Sequence, residues 1–206
     1  MNTKDEILQT RLPTVMVPVF EPLPALKAGE TRLVVAEDGL WIEAESGFGH
    51  FRRPLWQSRR NLPYGQVEAL SQLYCGRIPL KLIERFAEEA NEWADQGSET
   101  AAWITWGVDC GWDYRVLEVL EQSAVSVRYQ WPDLAHDRSL VMDLHSHGVG
   151  EAFFSTTDDQ SDLGFPHYSL VLGRCGKNKP LSEMACRLRL CLAGFFISEP
   201  VPWIQI

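Results

Sequence analysis

The feature that most constrains this 206-residue chain is residues 139–147, where side chains alternate and the run closes on two histidines. Leu140, Met142 and Leu144 fall on one side of the alternation, and Val141, Asp143, His145 and His147 on the other. Such a run predicts a strand. Successive side chains of a strand point to opposite faces, so residues two apart share one. Both imidazoles therefore project the same way from a stiff backbone, and two neutral imidazoles so placed suit zinc.

The segment that follows supplies what two histidines lack. Gly148 and Gly150 loosen the chain, and Ser155 opens a polar stretch over residues 156–162 that reads as the first turns of a short helix. Ser155 with Asp158 three residues on fits a helix-capping pattern. A carboxylate in that first turn can fold back over the strand end and complete a His, His, Asp set. One position is then left open, as in catalytic rather than structural zinc sites. Asp159 and Asp143 stand as alternative ligands, the latter on the histidine face of the strand.

His145-x-His147, seven residues, Ser155, two residues and Asp158 resembles the HxHx7SxxD signature of the MPN-type (JAMM, or JAB-domain) metalloproteases, with every spacing met. The match covers 14 residues directly and extends, in the order of elements, over residues 75–200. It implies an α+β fold, with a mixed central sheet flanked by helices in a JAB/MPN-like domain over residues 71–206. Residues 1–70 are then a β-rich N-terminal extension of unassigned role.

The resemblance also implies Zn2+ held by His145, His147 and Asp158, and a Ser155 hydroxyl that hydrogen-bonds the developing oxyanion. A water attacking an amide needs a group to take its proton, and the family places a glutamate at the start of the strand after the first helix. Glu99 sits there, ahead of an apolar run ending in Gly107. Glu118 and Glu121 are rivals for that role. Each residue also has a plainer reading: a hydrogen-bonded strand end for the histidines, a helix cap for Ser155, a first-turn acid for Asp158, a solvated helix-end residue for Glu99.

Two departures from the family matter. Gly148 stands where a proline is common, which predicts a more mobile loop, and only residues 132–138 precede the motif strand, leaving little room for the usual helix. His136 and His167 are expected to be surface or structural residues.

The implied activity is hydrolysis of a peptide or isopeptide bond at the C-terminal tail of a ubiquitin-like protein. That tail is expected to lie beside the motif strand, held by main-chain hydrogen bonds. Length and architecture further resemble the JAB-containing component of bacterial PRTRC systems, which are grouped with an activating-enzyme-like and a ubiquitin-like protein. Two other classes stand beside this one. A non-catalytic JAB-fold scaffold would keep the fold and lack the metal. A cupin-like metal protein is imitated by His145, His147 and Glu151, but the glycine before them and a second histidine motif are missing.

Composition narrows the partners. Nineteen Lys and Arg against twenty-eight Asp and Glu leave a formal charge of −9, which repels a polyanion and argues against nucleic acid. No apolar run approaches a membrane span and the N-terminus lacks a secretory signal's order, so a cytoplasmic protein without a membrane partner is expected. The five cysteines form no CxxC pair and are expected as small buried hydrophobes. Arg52, Arg53, Arg59 and Arg60 are expected on a solvated face, and His50 at the surface.

Residues 31–36 and 40–44 predict a hairpin, with extended chain and loop over the rest of the first 70. An amphipathic helix with an acidic face is predicted over 78–97. Strands are predicted at 100–108, 114–120, 123–131, 168–173 and 186–197, with a turn at 176–180.

Overall fold

The computed structural model describes residues 2–117, 119–123, 126–129 and 134–201. The chain divides into two compact units, Met1–Tyr74 and Cys75–Ile206.

The first unit opens with α1 (Thr3–Arg11), whose N-terminus is capped by the Asn2 side chain. A five-stranded sheet follows in the order β1 (Thr14–Met16), β2 (Thr31–Ala36), β3 (Gly39–Ser46), β4 (Gly49–Gln57), β5 (Leu70–Leu73). The β2–β3 hairpin matches the sequence expectation. Helix α1 corrects it, and strands β1, β4 and β5 add to it, since those stretches were expected as extended chain and loop. Strand β4 was hidden because it carries Arg52, Arg53 and Pro54, residues that speak against a strand when read one at a time.

The register resolves the conflict. Arg32, Glu43 and Arg52 are cross-strand neighbours on β2, β3 and β4. Burial pushes the Glu43 carboxyl up, but the Arg52 and Arg32 guanidiniums outweigh it and hold it below its ordinary value. Arg32 Nε donates to Glu43 at 2.7 Å, and Arg52 pairs with the other oxygen. Arg53 Nη1 donates to the Leu70 carbonyl at 2.6 Å. Arg52 and Arg53 are therefore structural, not a solvated face. His50, expected at the surface, is half-buried with Nε2 3.0 Å from Glu43.

The second unit is α+β, as expected. Helix α2 (Leu80–Asp95) buries Ile83, Phe86, Ala87, Ala90 and Ala94, the apolar stripe read from the sequence. Pro79 occupies its N-cap and Gly97, at φ +75°, follows its end. Strands β6 (Ala101–Gly107) and β7 (Gly111–Val116) form a hairpin, and β8 (Val119–Ser123) pairs with β9 (Ser126–Tyr129). The strand expected at 123–131 falls partly outside the described residues, as does Glu118.

The motif strand is β10 (Ser139–Ser146), followed by α3 (Thr156–Ser161), β11 (His167–Gly173), β12 (Ala185–Leu192) and β13 (Phe195–Glu199). Their sheet runs β13-β12-β11-β10-β6-β7. The single strand expected at 186–197 is a hairpin, turned at Ala193 and Gly194, which both take positive φ (48° and 85°). An Ala-Gly pair is a weaker signal for such a turn than Asn-Gly.

Strand β10 is interior. It pairs antiparallel with β6 and parallel with β11, and from Leu140 to Ser146 every side chain is buried. Leu140, Met142, Leu144, Ile104, Leu170 and Leu172 are almost fully buried in this region, each worth about 2 kcal/mol of apolar burial. Both edges of β10 are thus taken by neighbouring strands. Three cysteines (Cys175, Cys186 and Cys191) are buried as expected, whereas Cys110 is exposed and Cys75 half-buried. No helix among the described residues is long and apolar enough to cross a membrane.

Candidate metal centre

The C-terminal end of β10 presents His145 and His147 from one face, their ring centroids 5.3 Å apart. The loop beyond is strapped to β11: His147 N donates to the Leu172 carbonyl at 2.8 Å, Arg174 N to Gly150 at 2.6 Å and Cys175 N to Gly148 at 2.8 Å. Gly173 makes this possible, since a Cβ there would stand 2.5 Å from Ala152 N and from Gly150 O. Gly148 takes φ +51°, a value closed to the proline common in the family. Its carbonyl is tied to Cys175, so glycine here serves a turn.

The chain returns through residues 151–154 to α3, where Ser155 and Asp158 form a reciprocal cap. Asp158 Oδ2 accepts from Ser155 N at 2.6 Å and from Ser155 Oγ at 2.7 Å. Ser155 Oγ in turn accepts from Asp158 N at 3.2 Å. The cap uses one carboxylate oxygen and leaves the other facing the histidines. Asp158 Oδ1 stands 3.5 Å from His145 Nε2. His145 Nε2 is buried and makes no hydrogen bond.

These residues fit a zinc ion. A separation of 3.5 Å is long for a hydrogen bond but close to that of two ligands about 2.0 Å from a shared tetrahedral metal. Donor atoms of His145, His147 and Asp158 all lie within 4.8 Å of one another. His147 Nδ1 lies 3.0 Å from the Glu151 carbonyl, to which it donates, so Nε2 keeps its lone pair for a metal.

The electrostatics suit the same role. Burial pulls the His145 imidazole down, but Asp158, with Asp143 and Asp162 beyond, draws it above its ordinary value. His147 is lowered, by burial first and then by His145. Burial opposes ionisation of Asp158, yet the nearby His145 and the Ser155 cap hold it far below its usual range.

Glu99 reaches the site through its neighbour. Thr100 N donates to Ser146 Oγ at 3.0 Å and Ser146 N to the Thr100 carbonyl at 2.9 Å. Glu99, buried to 6% exposure, is thereby set against the end of the histidine strand. Burial lifts its carboxyl to about 7, with His145 opposing and Asp158 adding to the shift. A base of that strength is matched to proton transfer at neutral pH.

The alternatives separate clearly. Asp159 turns away to Arg189 Nη1 at 2.6 Å. Asp143 is buried in the strand, where its charge acts on His145. Glu151 is exposed and pairs with Arg174, which removes the cupin-like arrangement. His136 is exposed. His167 is buried, with Nε2 3.2 Å from Asp162.

Asp162, His167 and Cys191 form a second cluster of ligand-type residues, and sequence reasoning missed it. Arg189 donates twice to Asp162 Oδ2, at 3.1 and 2.7 Å, so a guanidinium already holds the place a dication would take. The signal for it was present: Arg187 and Arg189 interrupt an otherwise apolar strand.

Comparison with known families agrees with this division of the chain. Residues 2–74 match a domain family of unknown function, DUF2016. Residues 79–187, more than half of the chain, match the family described as prokaryotic homologs of the JAB domain. All five candidate residues fall within that span. No curated protein matches. A solution structure of protein DSY2949 from Desulfitobacterium hafniense is similar over 58% of this chain and 86% of its own, at 15% identity and a TM-score of 0.41.

Proposed function

This chain belongs to the prokaryotic homologs of the JAB domain, and we propose that it is a zinc-dependent metallopeptidase hydrolysing a peptide or isopeptide bond at the C-terminal tail of a ubiquitin-like protein. The observation that carries the proposal is the buried, unbonded Nε2 of His145 facing a carboxylate oxygen that the Ser155 cap leaves unused. Orphaned buried polar atoms are rare and call for a partner.

His145, His147 and Asp158 would hold the metal. Zinc, when bound, supplies Lewis-acid polarisation of the scissile carbonyl and acidifies water. Glu99 takes the proton of the attacking water and returns it to the leaving nitrogen. Ser155 turns its hydroxyl from Asp158 Oδ2 to the developing oxyanion, while its backbone N–H keeps the carboxylate in place. The ubiquitin-like partner follows from the motif's resemblance alone.

A JAB-fold scaffold without catalysis is the second reading. One observation favours it: the Ser155–Asp158 pair is complete in itself as a reciprocal helix cap. Two measurements decide. Elemental analysis of protein purified under zinc-replete conditions should give one zinc per chain. Mass spectrometry should find ubiquitin-like proteins with C-terminal extensions trimmed at the tail. Absence of stoichiometric metal sinks the enzyme and favours the scaffold; metal with these proteins left intact overturns the ubiquitin-like substrate.

A further inference from the structure

Arg189 lies in the middle of an apolar strand at 4% exposure, outside the sequence motif. Three of its nitrogens are engaged. Nη1 donates to Asp159 Oδ1 at 2.6 Å, while Nε and Nη2 donate to Asp162 Oδ2 at 3.1 and 2.7 Å. The guanidinium also lies between two rings, 3.8 Å from the Phe154 centroid and 4.1 Å from that of Phe196.

Burying this charge is costly, and an apolar side chain would often pack the same volume as stably. The fork does something such a side chain cannot. Asp159 lies in the first turn of α3 and Asp162 is its C-cap, so one guanidinium grips both ends of a six-residue helix. A helix that short does not hold its own shape in water. The grip extends upstream of the cap as well, because Phe154 rests on Arg189 and turns its edge to the His145 ring at 6.3 Å. Asp162 is steadied from behind by His167 Nε2 at 3.2 Å and by the Cys191 thiol at 3.4 Å. The guanidinium's hydrogen bonds go to Asp159 and Asp162 and its ring contacts to Phe154, all on the segment that carries Ser155 and Asp158, and to Phe196 on the neighbouring strand.

We infer that Arg189 is a positioning residue for the metal centre, holding α3 and Phe154 so that Asp158 Oδ1 faces His145 Nε2. This rests on the zinc site proposed above. Lysine cannot replace it, since a single ammonium neither reaches both carboxylates as a fork nor stacks flat between two rings.

The test compares the wild type, Arg189→Lys and Asp159→Asn in the full chain. Zinc affinity is read by competition with a chromophoric chelator, and ligand geometry from the visible spectrum of the cobalt-substituted protein. Arg189→Lys should keep wild-type far-ultraviolet circular dichroism but bind zinc about 10-fold more weakly, with an altered cobalt spectrum and a lower kcat at unchanged KM. Asp159→Asn cuts only the more exposed link and should shift affinity and spectrum the same way by less. It decides the matter if Arg189→Lys does not fold. Wild-type affinity and spectrum in the deciding variant, even with lowered thermal stability, overturn the inference while leaving the zinc site intact. If the wild type binds neither metal, the zinc site fails and the inference fails with it.

Discussion

Thr100 and Ser146 hold each other twice, by the Thr100 N–H on the Ser146 hydroxyl and the Ser146 N–H on the Thr100 carbonyl. This exchange joins the start of one strand to the end of another, and so places Glu99 and the histidines of β10 at the same edge of the site although some 46 residues separate them in sequence. Glu99 is thus placed by backbone geometry, while burial raises its carboxyl.

Glu99→Gln should therefore keep one zinc per chain and the wild-type fold while losing most hydrolysis, because the amide keeps size and polarity but cannot take a proton. The carboxyl lifted to about 7 sets the acid limb of kcat/KM. A bound dication pulls that value down, so the limb should lie at or below pH 7 and vanish in the Gln variant. Loss of zinc in Glu99→Gln would make it a ligand. Full activity would move the base to another carboxylate, Glu118 and Glu121 first.

Asp158 and Asp159 should part company in metal analysis. Removing Asp158 deletes the oxygen that faces His145, whereas Asp159 is committed to Arg189. Asp158→Ala, His145→Ala and His147→Ala should each purify without stoichiometric zinc, and Asp159→Ala with it. Ser155→Ala should keep zinc and cost about 1 kcal/mol of stability, the usual penalty for losing an N-cap, read from denaturant midpoints. The reverse pattern for the two aspartates would show that the loop register is wrong.

What could be read from the sequence follows the range of the interactions. The strand, the His-x-His spacing, the capping pair and α2 are local or periodic, so each leaves a mark within a few residues. Strand β4 and the true setting of His50 left none, because Arg52 and Glu43 make sense only when β3 and β4 are side by side. Arg189 did leave a mark, as a charge inside an apolar strand, but its partners lie 30 and 27 residues away, so its role did not. The interior place of β10 was half-visible. Leucines on one side and valine with polar residues on the other suggest one solvated face, but here Asp143 and His145 are buried as well.

The buried pair of Asp162 and His167 gives stability a pH dependence of definite sign. Burial disfavours the charged imidazole, but Asp162 outweighs it and holds His167 above its ordinary 6.5. Burial likewise opposes Asp162, and His167 with Arg189 holds it below 3.8. A raised histidine contributes fully below its unfolded value and loses that contribution as pH rises through the folded one. A depressed aspartate contributes above its unfolded value and loses it on acidification. Both are therefore fully present between about pH 3.8 and 6.5. The Tm gap between wild type and His167→Gln should narrow as pH rises above 6.5. A constant gap from pH 5 to 9 would show that the pair does not titrate in the folded protein.

The substrate is where the proposal is most exposed to test, and the fold alters how it must work. A peptide attacked by a single activated water has to be held extended across the metal, and a small folded partner adds the affinity that a short tail lacks. With both edges of β10 paired, the strand itself cannot hold that tail. The nearest surface with the right character is the stretch leading to α3. There Phe153, 56% exposed, sets its ring edge-on to His147 with centroids 4.5 Å apart. An apolar side chain of an incoming tail would cover that ring as it reached the metal. Phe153→Ala should therefore raise KM for a ubiquitin-like protein carrying a C-terminal extension, with zinc content unchanged. A 10-fold rise corresponds to about 1.4 kcal/mol of lost binding, within reach of one buried ring. If KM is unchanged while kcat falls, Phe153 supports His147 instead of contacting substrate. If ubiquitin-like proteins stay intact while free peptides or small amide conjugates are cut, the zinc site is a peptidase whose partner lies in another class.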